Sequence, residues 1–172
     1  MPKPLINIAD VVIQTAEPAR LPAGEKAQYY DIRWGALADR IGARKLGYNL
    51  TVVAPGKRKC AFHSHRVEEE MFFILQGHGE LRYGDARYPV RPGDVIACPP
   101  GGPETAHQII NTGEVELRYL AISTRSEAEI CEYPDSGKYL AFAAGDASSE
   151  ERLKPLRVIG RPEASLDYWD GE

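Results

Sequence analysis

The sequence predicts an all-β protein, because short apolar runs alternate with turn signals along its middle part. The 172 residues include 16 glycines and 13 prolines, which suits a chain that turns often. About seven or eight strand-like runs lie between Leu46 and Ser123, a spacing typical of sandwiches and barrels. The length is sufficient for one domain with a hydrophobic core. We therefore expect a single β-rich domain.

The predicted strands follow one another closely in the central region, residues 46–123. Two turns are clear: Gly84-Asp85 is a hairpin signal, and Arg91–Asp94 has Pro and Gly at the positions that a type II turn prefers. The strands are predicted at Leu46–Val53, Cys60–His65, Glu70–Leu75, Glu80–Tyr83, Ala86–Val90, Val95–Cys98, His107–Asn111 and Val115–Ser123.

The two flanks have weaker patterns. Residues 1–45 are predicted to form an N-terminal arm with entry strands, including a strand at Tyr29–Trp34 and a turn or one helical turn at Ala36–Arg44. Residues 124–172 are predicted to form a partly ordered C-terminal extension, with a helical turn at Glu127–Glu132. We expect this extension to pack on the barrel or on a partner, through Leu153, Leu156, Val158, Ile159 and the Tyr168-Trp169 pair.

Charge and cysteine content narrow the possible partners. The net charge of −4 argues against a nucleic-acid surface, and we interpret the short basic run Lys57–Lys59 as a solvated loop or strand edge. Three unpatterned cysteines fit a reducing cytoplasm. We find no apolar leader and no stretch long enough to span a membrane. The predicted protein is cytoplasmic, without nucleic-acid or membrane partners.

Two histidines point to a metal site. His63 and His65 are two residues apart, so in a strand both side chains project from one face. Glu70 begins the next predicted strand, where a buried carboxylate needs a partner such as a cation. His107 begins a later strand and is a possible fourth ligand. Glu68 and Glu69 compete with Glu70, but they lie in a turn and are more easily solvated.

This ligand set predicts an open transition-metal site. Three imidazoles and one carboxylate suit Mn, Fe, Ni, Co, Cu or Zn better than Ca or Mg. About two positions of an octahedral ion would stay free for water, substrate or dioxygen. The alternative is a hydrogen-bonded polar core without metal. By parity Cys60 points away from the site, and we interpret Cys60 and Cys98 as small buried hydrophobes. We find no Gly-rich phosphate loop, nucleophile elbow or CxxC pair.

In these residues the sequence resembles the cupin superfamily, whose members are small β-barrels of jelly-roll type. The first cupin motif, G-x5-H-x-H-x(3,4)-E-x6-G, is matched by His63, His65, Glu70 and Gly77, with Gly56 one residue too far away. The second motif, G-x5-P-x-G-x2-H-x3-N, is matched from Gly93 to Asn111, except that the loop before His107 is three residues longer. The resemblance implies that the metal ligands are His63, His65, Glu70 and His107.

The resemblance also implies a function class. The tail is similar to that of stand-alone bacterial cupins labelled cupin-domain or sugar-phosphate-isomerase-like proteins, which are commonly homodimers whose arms extend the partner's sheet. We expect a metal-dependent isomerase, oxygenase or decarboxylase that acts on a small polar molecule. The alternative is a non-catalytic module that binds or senses a sugar or sugar phosphate. Candidate substrate-binding residues are Tyr48, Phe72, Arg82 and Tyr119.

Overall fold

The computed structural model describes residues 3–17, 21–145 and 154–172. It is almost entirely β, as the sequence predicts, with one α-helix, α1 (Ala38–Ile41). Short 3-10 turns lie at Ile8–Asp10, Gly24–Tyr29, Pro103–Thr105 and Pro162–Ala164. The strands are β1 (Gln14–Thr15), β2 (Arg33–Ala36), β3 (Leu46–Val53), β4 (Ser64–His65), β5 (Glu70–Gln76), β6 (Gly79–Tyr83), β7 (Ala86–Val90), β8 (Val95–Cys98), β9 (His107–Ile110), β10 (Leu117–Thr124), β11 (Ala128–Tyr133), β12 (Lys138–Ala143) and β13 (Leu156–Gly160).

These strands form three antiparallel sheets. The largest has the order β1-β2-β3-β10-β5-β8, and the second has the order β13-β12-β11-β4. The third sheet, β7-β6-β9, contains the hairpin at Gly84-Asp85, in which Tyr83 pairs with Ala86. The turn at Arg91–Asp94 is also confirmed, since Asp94 N donates to Arg91 O at 3.1 Å and Gly93 has φ +94°. The core lies between the sheets and is centred on Val53, Ile74 and Leu117.

The segment predicted as the strand Cys60–His65 is different in the structure. Only Ser64–His65 forms a strand, because the chain changes partners every few residues: Arg58 bridges to Tyr30 and Ile110, and His63 bridges to His107. Side-chain alternation cannot be followed through such a segment, since parity holds only along one continuous ladder.

Both flanks join the sheets of the central region. The entry strand is β2 (Arg33–Ala36), a few residues later than predicted, and it pairs with β3. The expected helical turn at Glu127–Glu132 is wrong: these residues lie largely in strand β11, which pairs with β4. Ala128 to Cys131 alternate between exposed and buried positions, so their period is two, that of a strand. The helical turn expected within Ala36–Arg44 is present as α1.

The terminal segments keep large apolar side chains at the surface. In the tail, Leu166, Tyr168 and Trp169 are 72–83 % exposed. In the arm Val11 packs against Leu37 and Leu50 of the same chain, while Val12 is exposed. Leu153 lies outside the described residues. The homodimer stays a prediction. Among the residues that the structure describes, no helix has the length and apolarity needed to cross a membrane.

Gly77 is predicted to tolerate no side chain. It has φ +83°, and an added Cβ would lie 2.5 Å from the backbone oxygen of Glu116, which cannot move without disturbing β10. Gly56 has a similar φ of +72° with open space around it. We expect Gly56→Ala to cost about 1 kcal/mol of unfolding free energy and Gly77→Ala at least about 2 kcal/mol more. Urea denaturation followed by circular dichroism tests this, and equal losses in the two variants would contradict it.

Candidate metal centre

Four side chains from three sheets converge on one point. His65 belongs to β4, Glu70 begins β5 and His107 begins β9, while His63 precedes β4 and is bonded through its backbone to His107. The Nε2 atoms of His107, His65 and His63 lie 2.9, 3.3 and 3.7 Å from Oε2 of Glu70. The four ligand atoms all lie within 4.8 Å of one another, an arrangement that could hold a metal ion.

The outer nitrogen of each imidazole fixes the orientation of its ring. Nδ1 of His63 lies 2.9 Å from the carbonyl oxygen of Ala61, and Nδ1 of His107 lies 3.2 Å from that of Thr105. A carbonyl oxygen only accepts hydrogen bonds, so each Nδ1 carries the proton and donates it. In the neutral ring Nε2 is then an unprotonated acceptor. The backbone thereby aims two lone pairs at Glu70.

This geometry fits a bound cation. A neutral His107 and an ionised Glu70 present two acceptors to each other at 2.9 Å, an unfavourable contact unless a proton or a cation lies between them. One proton can satisfy only one imidazole, and Nε2 of His65 is buried without a geometric hydrogen-bond partner in the described part of the chain. Two adjacent ligands at about 2.1 Å from one octahedral ion lie about 3 Å apart, close to the shorter of the distances seen here. A single metal ion would satisfy all four residues.

Without a metal, a proton on His65 balances the charge of the Glu70 carboxylate. Burial alone would raise the pKa of Glu70, but its close contacts with the imidazoles of His107 and His65, and the positive charge on His65, outweigh burial and hold this pKa far below its usual range. Burial lowers the pKa of His63. For His65, burial opposes protonation, yet the contacts with Cys131 and Glu70 raise its pKa to about 11. The centre therefore keeps a buried carboxylate charge beside a neutral His63.

Strand β11 supports His65 from behind. Nδ1 of His65 lies 3.5 Å from Sγ of Cys131 and 3.7 Å from Oε2 of Glu129. The buried Glu129 carboxylate also accepts hydrogen bonds from the backbone N–H groups of Arg66, Val67 and Glu68, and so fixes the loop that joins His65 to Glu70. Outer contacts of this kind set the orientation of metal-binding imidazoles.

A cavity of about 210 Å³ opens onto three of the converging side chains, His63, His65 and Glu70. Phe72 and Tyr119 form an aromatic wall, with ring centroids 5.8 Å apart in an edge-to-face contact. Nζ of Lys59 donates to Oγ1 of Thr51 at 3.1 Å, and burial lowers the pKa of this lysine. Burial also raises the pKa of the Cys60 thiol to about 11. The remaining lining residues are Asn49, Ala121 and Ser123. A small polar molecule fits this volume.

The structure separates the four candidate substrate-binding residues. Phe72 and Tyr119 line the cavity. Tyr48 packs instead with Leu37 and Leu50 in a second apolar cluster. In β3 the inward-facing side chains are those of Asn49 and Thr51, so Tyr48 projects from the opposite face of the strand.

Arg82 also lies outside the metal cavity. It forms a bidentate ion pair with Asp135 at 2.7 and 2.8 Å, and its guanidinium lies 3.6 Å from the ring centroid of Phe62. Both terminal nitrogens of Arg82 are therefore engaged by a carboxylate of the protein and not by a ligand.

Two sequence interpretations need correction, both in the same segment. Lys59 lines the metal cavity and is not part of a solvated loop, and Cys60 faces the site instead of pointing away. The reason is the change of strand partners between Arg58 and His63, which breaks the parity assumed there. The only feature of the sequence that could have indicated a site role for Lys59 is its position, four residues before His63. Of the competing acids, Glu68 accepts from Ser126 N at 2.8 Å, and Glu69 is exposed.

Comparison with known sequences places this site in a known family. Residues 49–123 match the family model described as the cupin domain. The chain is 32% identical over 68 residues, which are 40% of its length, to the oxalate-binding protein of Thermotoga maritima. The matches span about half the length of the curated relatives.

Solved structures share the architecture. A proposed sugar phosphate isomerase of Acidithiobacillus ferrooxidans is 29% identical with a TM-score of 0.62, over 73% of this chain and 76% of that one. A sugar phosphate isomerase of the cupin superfamily from Silicibacter pomeroyi gives a TM-score of 0.75 at 23% identity, over 97% and 98% of the two chains. The family match includes all four converging side chains and ends within β10. Residues 49–123 therefore match the cupin domain, and the chain shares its fold with a solved structure of the cupin superfamily.

Proposed function

We propose that His63, His65, Glu70 and His107 bind one divalent transition metal, and that the cupin domain isomerises a small hydroxy-carbonyl compound of the sugar phosphate class. The observation that carries the proposal is the convergence of three Nε2 atoms on one carboxylate oxygen, at 2.9–3.7 Å. The 29% identity to the proposed sugar phosphate isomerase supports the reaction class.

The chain's own residues have separate parts in this proposal. When bound, the metal would act as a Lewis acid toward the carbonyl and hydroxyl oxygens of the substrate. Phe72 and Tyr119 make one wall of the cavity apolar, which limits water and strengthens the electrostatic interactions inside. The ammonium group of Lys59, held by Thr51, lines the same cavity and would stabilise the substrate oxygens that gain negative charge during isomerisation.

A second candidate is non-catalytic binding of a small anion in the same cavity. It is favoured by the 32% identity to the oxalate-binding protein. The cavity volume of about 210 Å³ also suits a molecule of few atoms. Turnover separates the two candidates, since a binding module holds its ligand unchanged.

Metal content tests the ligand assignment. We expect about one transition-metal ion per chain in protein purified without chelators, and a loss of at least tenfold in His63→Ala and in His107→Ala, because each variant removes a ligand from a four-ligand set. The control is His78→Ala, which changes an exposed turn histidine. Elemental analysis gives the measurement. Full metal content in the folded His107→Ala variant would contradict the assignment.

Cys131 is predicted to act as a positioning residue for His65. Cys131→Val keeps a small apolar side chain at this buried position but removes the acceptor for Nδ1 of His65, so we expect metal affinity to fall about tenfold. Cys131→Ser keeps an acceptor and should restore most of that affinity. Chelator competition measures the affinity, and urea denaturation shows whether the variants remain folded. Equal affinities for the valine and serine variants would show that the contact has no such role.

Isomerase activity is expected to depend on the metal. In D₂O, an aldose phosphate such as ribose 5-phosphate should exchange its C2 hydrogen and give ketose product, because isomerisation removes that proton. Proton NMR follows both changes, and chelator-treated protein should lose them until metal is returned. Metal-dependent binding without exchange across a panel of sugar phosphates would favour the second candidate instead.

A further inference from the structure

A second and larger cavity lies beside the metal cavity. We call it the basic vestibule; its volume is about 620 Å³, and its cationic and aromatic lining includes Lys26, Tyr29, Tyr30, Arg58, Tyr133 and Lys138. Lys59 and Cys60 line both cavities. The ring of Tyr133 also stacks on His63 at a centroid distance of 6.2 Å. The vestibule therefore adjoins the metal site directly.

Arg58 is the central cation of the vestibule. Its guanidinium lies over the rings of Tyr29 and Tyr30, at 5.2 and 5.6 Å from their centroids. Within the described ranges no carboxylate lies at ion-pair distance from Arg58, and its Nε is buried without a hydrogen-bond partner. A guanidinium that is held over two aromatic rings and has no ion-pair partner is suited to recognise an oxyanion.

The vestibule is positively charged in a chain whose net charge is −4. Four cationic side chains line it, and Asp135 is the acidic residue among the lining. The Asp135 carboxylate is already engaged by both terminal nitrogens of Arg82. Lys138 has an aromatic contact, with Nζ 4.9 Å from the centroid of Tyr133, and no carboxylate within salt-bridge distance in the described part of the chain. The uncompensated charge calls for an anionic ligand.

We propose that the basic vestibule binds the phosphate group of a phosphorylated polyol or sugar, while the carbonyl end of the same molecule occupies the metal cavity. This inference rests on the proposed function and adds the site that distinguishes a phosphorylated substrate from the free sugar. A phosphate monoester carries close to two negative charges at neutral pH and offers three acceptor oxygens. Arg58 and Lys138 supply donors for them, and Lys59 lies at the boundary between the two ends of the ligand.

Titration calorimetry of the intact, metal-loaded chain tests the vestibule. Ribose 5-phosphate should bind at least about tenfold more tightly than ribose. The Arg58→Gln substitution should lower the affinity for ribose 5-phosphate by about tenfold and leave the affinity for ribose unchanged. The matched control is Arg44→Gln, which removes the same charge from an exposed position outside both cavities. If Arg58→Gln does not fold, Lys138→Gln replaces it. Equal affinities for the two sugars, or equal effects of the vestibule and control variants, would overturn the inference.

The metal-site variant His107→Ala separates this inference from the proposed function. Inorganic phosphate should still bind to this variant, and adding Arg58→Gln should weaken that binding by about tenfold, because the vestibule does not include His107. If the enzyme shows no metal-dependent turnover but phosphate binding still requires Arg58, the vestibule stands and the isomerase proposal falls. If turnover occurs and the Arg58→Gln substitution does not change phosphate affinity, the vestibule proposal is wrong and the isomerase proposal is unaffected.

Discussion

The buried carboxylate of Glu70 is the constraint on which the site depends. Three imidazole nitrogens face its Oε2 atom, and each imidazole is held by a different part of the chain. A carboxylate in such a place is costly to bury without a counter-charge. The three sheets meet at this atom because β4, β5 and β9 each bring a ligand to it. We infer that the three sheets are arranged so that three imidazole nitrogens and one carboxylate oxygen can bind the same cation.

Main-chain carbonyl groups do much of the orienting. The loop before His107 is three residues longer than the usual cupin pattern, and it forms a 3-10 turn at Pro103–Thr105. Thr105, within that insertion, supplies the carbonyl oxygen that receives Nδ1–H of His107. Ala61 does the same for His63 from a segment without regular strand structure. Irregular backbone is thus used where a strand could not place an acceptor beside the ring.

The sequence was informative where the relevant pattern is local. His63, His65 and Glu70 lie within one short stretch, and turn residues such as Gly93 specify their own geometry. It failed where partners are distant in sequence. The inward position of Lys59 follows from a segment that pairs in turn with different strands. Residues of β11 form a strand, and not a helical turn, because they pair with β4 and β12. Contacts between residues that are far apart along the chain cannot be derived from local alternation.

Charge distribution gives the strongest argument for an anionic substrate. The average over the chain is acidic, and the shortness of the basic run Lys57–Lys59 predicts a solvated loop or strand edge. The fold places Arg58 in the vestibule and Lys59 on the boundary with the metal cavity. Beyond them a divalent ion offset by one Glu70 carboxylate would add further positive charge. A neutral sugar would gain little from this arrangement, whereas an oxyanion would be attracted along its whole length. Selectivity for a charged ligand would then come from two separate regions of one protein surface.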